Sequence, residues 1–126
     1  AIDAQYHAYS DTGMFAIYFG TEPKQVKKCI ALIRKEMDKL CSKRLSAREL
    51  ASAKEQIKGQ LALSEENNLG LMIMMGRAVI DHGRVPLLQE VFDKIDVVTA
   101  ESLQSVANEM FDESRFSYLF MEPVTK

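Results

Sequence analysis

The chain has 126 residues, 47% of them hydrophobic and 27% charged, an ordinary globular balance that excludes a disordered polymer. Sixteen basic residues against eighteen acidic ones leave a net charge of −2, without the basic surplus or stripe that a nucleic-acid binder shows. A chain of this size is expected to form one domain over residues 1–126 and to bury roughly two-thirds of its unfolded surface.

Ile2, Ala4, Tyr6 and Ala8 alternate with Asp3, Gln5, His7 and Tyr9, the period of a half-buried strand with one wet face. Ser10-Asp11-Thr12-Gly13 supplies turn chemistry. From Met14 to Gly20 there is no charge, and Phe, Ile and Tyr favour a pleated backbone. Phe15, Ile17 and Phe19 fall on one face of that stretch and Met14, Ala16 and Tyr18 on the other. Both faces are apolar, so a central strand covered on both sides is expected, paired with the first strand as an antiparallel hairpin.

Helices follow. Thr21 is the expected cap of the first, with Pro23 in its first turn. Val26, Cys29, Ile30, Ile33, Met37, Leu40 and Cys41 then recur at helical spacing for about five turns. Cys29 and Cys41 lie about 18 Å apart along that helix, too far for a disulfide, so two free, core-facing thiols are expected. Ser46 and Glu49 form a capping box that starts a second helix at Ala47, whose pattern can run to Asn67. Gly59 in its middle costs about 1 kcal/mol relative to Ala and marks an expected close approach of another backbone. A third helix spans about Leu69 to Ile80, ending at Gly83; its centre, Leu71 to Met75, is apolar all round and is expected to be buried between neighbours. Pro86 opens a short helix packing through Leu87, Leu88, Val91, Phe92 and Ile95, and Thr99 caps a last one with Leu103, Val106, Ala107, Met110 and Phe111 facing in. Arg115 to Met121 alternates again and is expected as a third strand beside the central one.

The expected fold class is therefore α+β: a small antiparallel sheet of about three strands, packed on one side by about five helices, as part of a larger two-layer domain. Three strands are few for so much helix. Together with a start that lacks Met and enters a strand at once, this leads to the expectation that the chain is a fragment of a longer protein.

Residues that could carry chemistry are scarce. His7 and His82 are the only histidines, and no HxxEH or CxxC pair is present, so no local zinc signature exists. Adjacent helical residues diverge by about 100°, so Glu65 and Glu66 cannot share an acid/base site. Met72, Met74 and Met75 suit core filling better than a soft-metal surface. Gly70, Gly76 and Gly83 form no phosphate loop, and no Ser/His/Asp constellation is legible. No catalytic residue and no metal ligand is expected in this chain, and its substrate-binding residues are open.

Order along the chain is more telling. Tyr9 to Thr21, with Ser10-Asp11-Thr12-Gly13 before the uncharged strand, resembles a hairpin in the C-terminal domain of the pitrilysin/insulinase-type zinc peptidases. Leu45-Ser46, Glu49-Leu50 and Ala53 through Leu61 resemble that domain's "LS..EL..AK.Q..G.L" segment. Glu65-Glu66-Asn67-Asn68 with Met72, Gly76 and Arg77, and Ile95 to Glu101 with Val106-Ala107, resemble the two stretches that follow there.

In such peptidases an inverted HxxEH motif and a downstream Glu hold zinc in the N-terminal domain, and a metal-bound water attacks the peptide bond. The C-terminal domain carries no zinc ligand and closes over the chamber. The Arg and Tyr that help hold substrate there lie upstream of the hairpin and have no match here, so no site residue is transferred. The resemblance implies a chamber-forming region of a zinc metallopeptidase, inactive by itself, with zinc in the parent's N-terminal domain. It implies as partners that zinc-binding domain, on the same or another chain, and peptide substrate, with no nucleic acid or membrane. The wet residues Asp3, Gln5 and His7 are candidate chamber lining. The alternative is a non-catalytic binding or assembly module, an inactive homologue whose sheet edge pairs with another chain or forms a homo-oligomer. The parent's compartment, cytoplasmic or periplasmic, stays open.

Overall fold

The computed structural model describes residues 1–121. Two strands, β1 (Ile2–Ala8) and β2 (Gly13–Phe19), are followed by a 3-10 turn (Pro23–Gln25) and helix α1 (Val26–Ser42). Then come α2 (Ala47–Ser64), α3 (Asn68–His82), α4 (Leu88–Asp96), α5 (Ala100–Met110) and a second 3-10 turn (Glu113–Arg115). The α+β class stands, with five helices and a two-stranded antiparallel sheet.

β1 and β2 pair from Ile2 with Phe19 to Ala8 with Gly13. Tyr9 N–H donates to Thr12 C=O at 2.9 Å at the turn, and Gly20 N–H donates to Ala1 C=O at 3.1 Å at the open end. Hydrogen-bonded pairs alternate along an antiparallel ladder, so Asp3, Gln5 and His7 turn their backbone groups toward β2. By the same alternation Phe15, Ile17 and Phe19 turn theirs outward.

The third strand does not form. Phe116 is extended (φ −80°, ψ 138°), and Tyr118 and Phe120 stack at 6.3 Å, as side chains two apart on an extended segment do. Periodicity set that shape correctly, but no strand pairs with it. Instead the Tyr118 hydroxyl accepts from Arg34 of α1 at 2.9 and 3.3 Å, which ties the segment to the helical layer. β2 is consequently an edge strand, open on its outer side, with Tyr18 and Met14 exposed, rather than a strand covered on both faces.

The helices pack in two pairs, α1 on α5 and α2 on α4. In each pair, side chains of one helix satisfy a carbonyl at the C-terminal end of the other, where intrahelical donors run out. Gln104 and Asn108 of α5 donate to the Cys41 C=O at 2.8 and 3.2 Å. Lys54 of α2 donates to the Asp96 C=O of α4 at 2.7 Å. Arg44 with Glu101 at 2.7 Å, and Lys58 with the Asp96 carboxylate at 2.6 Å, add ion pairs at the same two junctions.

Several helix boundaries depart from the expected ones. The first helix is not capped by Thr21; a 3-10 turn intervenes after Glu22, and α1 begins only at Val26. The second does not reach Asn67, because the Asn67 side chain accepts from Gly70 N–H at 3.1 Å and caps α3 instead. Pro86 stands before the fourth helix rather than in it, and the Glu90 carboxylate accepts from the Leu87 N–H at 3.2 Å. Ser46 and Glu49 do form their capping box, and Gly83 ends α3 with φ 73°.

Burial falls well short of the two-thirds expected. Among the described residues Ala107 alone is buried, at 7% exposure. The chain exposes 10737 Å², whereas a compact domain of 14.2 kDa exposes roughly 6,800 Å². It buries about half of its unfolded surface. The apolar centre of α3 is not buried between neighbours: Met72 and Ile73 are 62% and 55% exposed. Its Met74, Met75 and Ala78 line a shallow cleft together with Leu61 of α2 and Val91 of α4.

No backbone approaches Gly59; a Cβ there would meet nothing within 4 Å. Gly59→Ala should therefore raise stability by about 0.5–1 kcal/mol, measured by urea unfolding. The Glu49 carboxyl is held below its usual value by the Ser46 hydroxyl and then by the Ser46 N–H. A depressed folded pKa contributes stability that is fully present above the unfolded value and lost as pH falls through the folded one. Helicity at the start of α2 should thus decline on acidification below 4.5, and Glu49→Gln should flatten that decline.

Candidate functional site

The hairpin's wet face is the only place where the sequence offered candidate contact residues, and the register assembles it. Asp3 stands across from Tyr18, Gln5 from Ala16 and His7 from Met14, so all six side chains share one face. The Asp3 carboxylate is already engaged, accepting from its neighbour Ala4 N–H at 2.9 Å and from Gln5 Nε2 at 2.6 Å. His7 is half-buried and stacks against Tyr9 at 6.4 Å, with 18° between the ring planes. Tyr18 is 63% exposed. The result is a shallow polar and aromatic face able to hydrogen-bond an extended ligand, without a nucleophile or an acid/base pair.

On the opposite face, Phe15 meets Phe111 at 5.7 Å in a tilted contact, the aromatic bridge between sheet and helices. Beside it lies an apolar cleft of about 250 Å³ bounded by Leu40, Leu45, Leu103, Ala107 and Met110. Nothing in its lining can do chemistry; Lys43 and Gln104 supply its polar groups.

Two polar clusters join elements distant in sequence. Arg34 donates to the Tyr118 hydroxyl, lies 5.7 Å from the Tyr118 ring centre and pairs with Glu113 at 3.4 Å. The Tyr118 hydrogen bond, then the Glu113 charge, raise the Arg34 pKa. Lys58 pairs with Asp96, with Glu55 at 3.7 Å, and lies 5.8 Å from the Phe92 ring centre. Its pKa is raised first by the Asp96 hydrogen bond. Both clusters are saturated ion-pair junctions that position helices. The long-range contacts were not legible in the sequence, because Tyr118 and Glu113 lie tens of residues from Arg34, and Asp96 and Phe92 tens of residues from Lys58; only Glu55 is a near neighbour of Lys58.

Among the described residues no three His, Cys, Asp or Glu side chains converge on a point that could hold zinc. His7 sits on β1, His82 in the last turn of α3, and both cysteines are free and half-buried on α1. Glu65 is the C-terminal cap of α2 and takes no part in a site. No helix is long and apolar enough to cross a membrane among the described residues.

A helical layer on a small antiparallel hairpin, with no converged metal site among the described residues, defines an α+β domain. Comparison with known proteins names its class. Residues 1–57 match the model of the peptidase M16 inactive domain. The chain is 31% identical over 109 residues to an uncharacterised zinc protease, YmxG, of Bacillus subtilis, covering 86% of this chain and 27% of that protein. It is 29% identical over 103 residues to the beta subunit of the mitochondrial-processing peptidase of Saccharomyces cerevisiae, covering 80% and 22%. With that enzyme's alpha subunit from Pongo abelii it shares 31% over 105 residues, covering 83% and 20%. A chain of complex III2 from Candida albicans, with Inz-5 bound, superposes with a TM-score of 0.77 at 26% identity, over 86% of this chain and 26% of that one. The chain belongs to the peptidase M16 family, the pitrilysin/insulinase type, as its C-terminal, inactive domain. It spans about a quarter of the length of the curated relatives it matches.

Tyr118→Phe should free the segment after α5 from Arg34, a bond of about 1 kcal/mol. Amide exchange at Phe116 to Phe120 should speed up, while exchange in α2 stays unchanged.

Proposed function

We propose that the chain is a wall of the substrate chamber in a zinc metallopeptidase, contributing contacts to peptide while the hydrolytic metal sits on a separate N-terminal domain. The observation that carries the reading is the match to the inactive domain on a chain whose described side chains form no metal cluster. Asp3, Gln5 and His7 are the proposed chamber lining; their face is open, polar and flanked by Tyr18. Relatives named as alpha and beta subunits, and a similar chain within complex III2, support work beside partner domains. The partner in this reading is the zinc-binding domain, on the same or another polypeptide.

The chain alone should neither hydrolyse peptides nor take up zinc stoichiometrically; either result would sink the reading. In the assembled peptidase, Gln5→Ala or His7→Ala should raise KM about fivefold, the weight of one hydrogen bond of about 1 kcal/mol. Unchanged kcat and zinc content would mark the effect as substrate contact.

A second reading, a non-catalytic assembly module or inactive homologue, is favoured by a different observation. Among the described residues the outer edge of β2 has no backbone partner, and the strand carries no charge, as an edge that receives another strand would.

A further inference from the structure

We draw no further inference here: the strongest candidate, the outer edge of β2 (Gly13–Phe19), uncharged and without a backbone partner among the described residues, lies on a chain that spans about a quarter of the length of its relatives, and nothing in the structure shows what covers it.

Discussion

Ala107 sits where α1, α5 and β2 come together, and the packing around it is the constraint on which the rest of the arrangement depends. Leu40, Leu103, Phe111 and Phe15 line the same apolar cleft as this small side chain. Around it the polar groups at the ends of helices are tied down by their neighbours: Gln104 and Asn108 on the Cys41 carbonyl, Arg44 on Glu101. The α2 and α4 pair repeats the device with Lys54 and Lys58 on Asp96. Each junction joins a long-range apolar contact to a donor that a helix end cannot supply for itself.

What these junctions do not create is a second layer. Nearly half of the residues are hydrophobic, yet stripes on α3 and β2 look outward. Packing two helix pairs and a hairpin side by side buries one stripe of each helix and leaves the others without a counterpart. This is the physical setting of both functional readings. A domain that serves as one wall of a chamber needs surface left over for its neighbours, and so does an assembly module.

Catalytic machinery requires several side chains held within hydrogen-bond reach of each other. Here the polar side chains that do converge, Arg34 with Tyr118 and Glu113, or Lys58 with Asp96 and Glu55, neutralise one another and hold elements in place. The wet face of the hairpin differs: its polar groups are aligned along a strand and converge on no single point.

Local features were legible in the amino-acid sequence because their causes are local. Alternation from Ile2 to Ala8, the capping box of Ser46 and Glu49, the left-handed Gly83 and the helical spacing in α1 and α5 each depend on residues within a turn or two. The four ordered segments also placed the chain in its peptidase family. Only tertiary structure decided the rest. Asn67 could have ended one helix or begun the next, and its choice to cap Gly70 depended on where α3 turns. Phe116 to Met121 had the alternation of a strand, but alternation sets the shape of a backbone and not its partner; Arg34, more than eighty residues earlier, took Tyr118 instead. The apolar centre of α3 announced burial, yet burial requires a neighbour on every side, and no periodicity within a helix can say whether one stands there.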